Sequence, residues 1–144
     1  MNVEFVPVES ADSEKAVIYA TLKTPDIVAA IELLEGNSGG IPVVSDGVTY
    51  LCRQSAIYYI ESVDKKSFIY TKDRCYETKY RLYELEDMLG HYFVRCSKAM
   101  IVNLRKIRTV KSDFGGRMET TLLNDEHIII SRSYVKEIKR RLEL

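Results

Sequence analysis

Between Tyr92 and Lys111 the chain reads Y-F-V-R-C-S-K-A-M-I-V-N-L-R-K-I-R-T-V-K, a stretch with six cations and no acid. Its cations Arg95, Lys98, Arg105, Lys106, Arg108 and Lys111 are interleaved with Phe93, Val94, Met100, Ile101, Val102, Leu104, Ile107 and Val110. A segment this apolar must be built into a core, so its charges ride on rigid structure rather than on a tail. Rigid cations with no acid between them suit a polyanion whose charges are fixed in space. The plainer alternative is a buried strand and turn whose lysines are merely solvated.

The rest of the chain reads mainly as β-structure with small helices. From Ile41 to Thr71 the pattern is that of strands, with Asp64-Lys65-Lys66-Ser67 as a polar turn. Arg74 to Tyr80 alternates, and Leu82, Leu85, Glu86 and Leu89 fit a short helix closed by Gly90. After Lys111, Asp113–Gly116 and Asn124–Glu126 are turns between strands. Ser131 or Ser133 can cap a last helix whose inner stripe is Val135, Ile138 and Leu142 and whose outer face carries Lys136, Lys139, Arg140 and Arg141. The free N–H groups at such a helix start bind phosphate well, with Arg132 beside them.

Residues 1–40 form a separate piece. Asn2–Val8 and Ala16–Leu22 are β-prone, and Thr24-Pro25-Asp26 opens a helix with Ile27, Val28, Ile31 and Leu34 on one face. Gly36 is a plausible C-cap, and Asn37-Ser38-Gly39-Gly40 is the clearest linker. A β-β-α piece this small buries too little to be stable alone. It must pack either on the rest of the chain or on a second copy of itself; the second copy is expected, which makes it a dimerisation element, with residues 41–144 as the main domain.

A formal net charge of zero hides an asymmetry. Residues 1–63 hold nine acids against three bases, and residues 64–144 hold eighteen bases against twelve acids. An acidic front and a basic back are expected when one part alone meets nucleic acid. The three cysteines are widely spaced and form no C-x-x-C, which argues against a disulfide framework or a zinc site and for a reducing cytoplasm. There is no apolar run long enough for a membrane helix and no signal-peptide pattern at the start. Without a glycine-rich phosphate loop, G-x-S-x-G or a His/Cys/carboxylate cluster, no active site, metal site or cofactor is expected. His91 and His127 read as surface groups.

Residues Phe93 to Ile107 resemble the central signature of the LytTR DNA-binding domain family, roughly F-x-R-x-[HS]-[KR]-S-[YF]-[IVL]-V-N-x-x-x-I, with Ala99 and Met100 departing from it. Ile60-Glu61-Ser62, Leu82–Glu86 and Ser131–Tyr134 match flanking segments in the same order. The resemblance implies an elongated, mainly β fold of short antiparallel sheets with small helices, whose loops enter successive major grooves. By position it assigns DNA contact to Lys65, Lys66 and Ser67 in the first loop, to Arg95, Ser97 and Lys98 in the centre, and to Arg132 and Ser133 in the last. Arg105, Lys106 and Arg108 are read as phosphate contacts or plain surface. Double-stranded DNA is the implied partner of a stand-alone regulator without a receiver domain, acting as a homodimer on repeated half-sites. By family analogy alone, a membrane-protein antagonist is a further partner. The rival reading is a small β-rich module that docks protein or RNA on its basic face. Cys96, flanked by Arg95 and Lys98, is read either as a small hydrophobe or as a redox sensor activated by its cationic neighbours.

Overall fold

The computed structural model of the chain describes residues 1–34 and 40–144. It divides into two compact units, Met1–Gly36 and Asn37–Leu144.

In the first unit, α1 (Pro25–Leu34) begins as its sequence dictates. Pro25 takes the first helical position, and the Thr24 hydroxyl accepts the Ile27 N–H at 3.4 Å as an N-cap. The two strands expected before it do not form: residues 1–24 hold a single turn of 3-10 helix at Ala11–Ser13 and no strand. Strand propensity without a pairing partner is insufficient, because the ladder rather than the residue supplies the stability. The expected cap at Gly36 and linker residues Asn37–Gly39 lie outside the described residues.

The second unit is built on a seven-stranded antiparallel sheet. Its strands are β1 (Gly40–Ser45), β2 (Val48–Arg53), β3 (Tyr59–Val63), β4 (Lys66–Tyr70), β5 (Cys75–Thr78), β6 (Phe93–Ser97) and β7 (Met100–Asn103). They lie in the order β2-β1-β5-β4-β3-β7-β6. A second sheet, β10-β9-β8, contains β8 (Ile107–Ser112), β9 (Met118–Leu122) and β10 (His127–Ile130). Helix α2 (Leu82–Met88) joins β5 to β6, and α3 (Arg132–Arg141) follows β10.

Alternation buries both faces of the large sheet around β7, while β2 at its far side stays largely exposed. On β7, Ile101 packs with Ile60, Ile69 and the α2 residues Leu82 and Leu85, while its neighbour Val102 packs with Val94, Met118, Leu122 and Ile138. The apolar run of the central signature is thus a strand covered on both sides, by α2 on one face and by the small sheet with α3 on the other. Each fully buried isoleucine of this kind contributes about 1.5–3 kcal/mol.

Asn103 ends that run and is 3% exposed. Its Nδ2 donates to the Ile57 carbonyl at 2.9 Å, and its Oδ1 accepts the Arg105 N–H at 3.0 Å. One side chain therefore satisfies a buried carbonyl and caps the 3-10 turn at Leu104–Lys106. Replacing Asn103 by alanine leaves both groups without partners and is expected to cost about 2–4 kcal/mol of stability in urea unfolding. A loss below about 0.5 kcal/mol, the range of an ordinary surface change, would show that water replaces the amide freely.

Candidate nucleic-acid interface

Sheet register brings the predicted segments together. The tip between β3 and β4 and the tip between β6 and β7 lie at the same end of the sheet, since Glu61 pairs with Met100 and the Ser62 N–H donates to the Ala99 carbonyl at 2.8 Å. The start of α3 joins them through a β-bulge. The register shifts between Arg95 and Ser97, leaving Cys96 unpaired on β6, and the Cys96 carbonyl accepts the Ser131 N–H at 2.8 Å. Three basic segments, 64–66, 97–99 and 131–133, are thereby tied by main-chain hydrogen bonds to one edge of one sheet.

The first tip differs from its expected form. The turn is two residues long, with Asp64 at φ 50° and Lys65 at φ 65°, so β4 already begins at Lys66. Asp and Lys in the left-handed region where Asn-Gly is usual cost on the order of 1 kcal/mol each, a strain held in a tip that projects Lys65. The Lys65 carbonyl accepts from the Arg81 guanidinium at 3.0 Å. Lys66 points outward, 3.7 Å from Glu77. Ser67 was expected in the turn; as the second residue of the strand it points inward and is 2% exposed. That corrects its assignment as a DNA contact, because one residue of register decides which face a side chain takes.

At the central tip, Lys98 is exposed and Ser97 half-buried. The Ser97 hydroxyl accepts the Ala99 N–H at 3.3 Å, closing the turn. Arg95 donates to the Lys98 carbonyl at 2.7 Å and forms an ion pair with Glu86 of α2. Arg95 and Ser97 thus shape the turn that presents Lys98. At the third segment Arg132 and Ser133 are exposed in the first turn of α3, with Ser131 as N-cap. Two cations that the sequence reading passed over belong to the same edge. Ser67 pairs with Thr78, so Lys79 and Arg81, both exposed, emerge beside the first tip. The pairing of β4 with β5 places them there, and for Arg81 so does its bond to the Lys65 carbonyl.

Arg105, Lys106 and Arg108 stand apart from this edge. Strand β7 runs away from it, carrying the chain about 10 Å at ~3.3 Å per residue before Leu104. Each of the three is engaged within the protein. The Arg105 guanidinium lies 3.5 Å from the Tyr92 ring centroid, the Lys106 ammonium lies 5.1 Å from that of Tyr58, and Arg108 pairs with Asp125. On α3, Arg140 and Arg141 both bond Glu137, holding its carboxyl down to about 2.

The reactive-thiol reading of Cys96 is overturned. Its side chain is fully buried, and burial pushes the thiol up to about 12, outweighing the charge of Arg95. It is a core residue carried by the bulge. Tyr58, Tyr59 and Tyr70 do not form an open stacking platform either: Tyr59 and Tyr70 stack on each other at 4.4 Å, and Tyr58 is 7% exposed. Among the described residues no group of three or more His, Cys, Asp or Glu could hold a metal ion, and no helix is long and apolar enough to cross a membrane.

Comparison with known proteins shows the fold and the family. The structure matches a solved LytTr DNA-binding domain from Bacillus cereus with a TM-score of 0.70 at 24% identity, covering 74% of this chain and 98% of that one. In sequence, the chain is 30% identical over 99 residues to an uncharacterized HTH-type transcriptional regulator of Staphylococcus aureus, covering 69% of this chain and 67% of that protein. It is 28% identical over 108 residues to the sensory transduction protein LytT of Enterococcus faecalis, covering 74% of this chain. That match spans 45% of the Enterococcus protein, so the chain covers less than half of that relative's length. The description of the LytTr DNA-binding domain matches residues 47–143, which include the whole edge described above, and the chain belongs to the LytTR family.

Proposed function

We propose that the chain is a sequence-specific double-stranded DNA-binding transcriptional regulator that acts as a homodimer on repeated half-sites. The supporting observation is the convergence of segments 64–66, 97–99 and 131–133 on one sheet edge through the Ser62–Ala99 and Ser131–Cys96 hydrogen bonds. Lys65, Lys98 and Arg132 then enter successive major grooves, with Lys66, Ser133, Lys79 and Arg81 beside them. Cations held this rigidly can choose base edges, whereas mobile ones mostly find phosphate. Its acidic N-terminal unit joins two copies and stays off the DNA. The protein acts in the cytoplasm, where its DNA target lies, and has no catalytic role. A membrane-protein antagonist is the corresponding regulatory proposal and rests on the family alone.

The experiment is selection of bound sequences from random duplexes by the full chain, followed by a salt titration on the selected site. Each neutralised phosphate contributes about −0.9 to the log–log slope, so several contacts per subunit give about −4 or steeper for a dimer. A slope near zero with intact affinity, or preferential binding of single-stranded RNA in a parallel arm, would overturn the reading.

A further inference from the structure

The turn between β8 and β9 carries a feature that the basic segments do not explain. Phe114 is 94% exposed, the highest value among the exposed large apolar side chains of the described residues. An exposed phenylalanine forgoes about 1.5–3 kcal/mol of burial. Yet the turn that holds it is firmly built. The Asp113 carboxylate accepts the Phe114 N–H at 2.7 Å and the Arg117 guanidinium at 3.1 Å, and the Asp113 N–H donates to the Arg117 carbonyl at 2.9 Å. Gly115 and Gly116 complete it at φ 79° and 81°.

The turn also stands at the DNA edge. Met118 pairs with Ile130, one residue before the Ser131 N-cap, so the β8–β9 tip and the start of α3 share one end of the small sheet. Gly116 lies so close to Arg132 that a Cβ added there would sit 2.9 Å from the Arg132 Cδ. The Phe114 turn and the last basic segment are therefore in contact, with Arg117 in the same turn and Lys111 at the end of β8.

A phenyl ring cannot hydrogen-bond a base edge or neutralise a phosphate. The apolar group that a major groove offers is the thymine methyl. We propose that Phe114 is a base-contacting residue of the interface, packing its ring on the 5-methyl group of a thymine in the groove that receives the first turn of α3. This rests on the DNA-binding reading above and adds to it a specificity determinant that no hydrogen-bonding residue supplies.

The test uses the full chain and the duplex it selects, with each thymine replaced in turn by deoxyuridine, which removes the methyl group alone. The wild-type protein is expected to lose about fourfold in affinity at one thymine per half-site, the equivalent of one buried methyl. Phe114→Ala should lose a comparable factor on the unmodified site and no longer distinguish thymine from uracil there. Should Phe114→Ala keep the wild-type affinity and uracil profile, the proposal fails while DNA binding stands. An equal loss on every duplex would mark a non-specific wedge instead. A changed sedimentation coefficient with unchanged DNA binding would make the ring a self-association contact. If the full chain selects no duplex at all, the DNA-binding reading falls first and this inference with it.

Discussion

Replacing Lys98 by alanine is expected to cost about 1–3 kcal/mol per subunit on the selected duplex and little on random duplex, with the fold intact. The expectation follows from how the lysine is held. Its turn is closed by the Ser97 hydroxyl, its carbonyl is gripped by Arg95, and the flanking Ala99 carbonyl is bonded to β3. An ammonium on so fixed a turn can be aimed at guanine O6 and N7. Lys106→Ala is the internal contrast, since its ammonium rests over the Tyr58 ring away from the edge, and both duplexes should respond to it weakly and alike. Binding isotherms on both duplexes at one salt concentration, with circular dichroism to confirm folding, make the comparison. Equal losses on cognate and random DNA for Lys98→Ala would make it a phosphate contact and move base reading to Lys65 and Arg132.

The structure also gives Arg95 a bracing role. A run of cations in sequence does not tell which one faces solvent and which braces another, because that depends on partners distant along the chain. Arg95 pairs with Glu86 of α2 and holds the Lys98 carbonyl, so its loss would loosen the tip that presents Lys98.

The same logic separates what was legible in the sequence from what was not. Periodicity and caps marked the three strands from Ile107 to Ile130 and the helices α1, α2 and α3 to within about a turn, because those signals are local, but did not mark the β6–β7 hairpin inside Phe93–Asn103. The strands expected at Asn2–Val8 and Ala16–Leu22 fail because a strand needs a partner that local pattern cannot supply. Ser67 was misplaced by the length of a turn: a two-residue tip at Asp64–Lys65 shifts the strand start and sends the serine inward. For Cys96 the small-hydrophobe alternative holds and the redox alternative fails, since its cationic neighbours in sequence do not share its face of the strand. Lys79, Arg81 and Phe114 join the edge through strand pairing and tertiary contact, which no motif in the sequence records.

Removing the N-terminal unit should separate folding from affinity. Every buried apolar side chain among the described residues lies between Ile41 and Ile138, so residues 40–144 retain the whole core and are expected to fold. In the N-terminal unit, by contrast, no side chain of α1 is buried, and Phe5, Val17, Tyr19, Leu22, Leu33 and Leu34 are exposed. On the homodimer proposed above, this apolar surface meets the same surface of a second copy, as in an isologous dimer. With the expected strands absent, the helix face of Ile27, Ile31 and Leu34 is the element left to form it. Sedimentation should therefore show a dimer for the full chain and a monomer for residues 40–144. Because linked half-sites gain about 10²–10⁴ in avidity, the shortened protein should bind a two-half-site duplex at least about a hundredfold more weakly. Its affinity for a single half-site should be unchanged, since the edge that reads it is untouched. Two monomers by sedimentation, or equal affinity of both proteins for the paired site, would reduce the N-terminal unit to an appendage and end the dimer proposal.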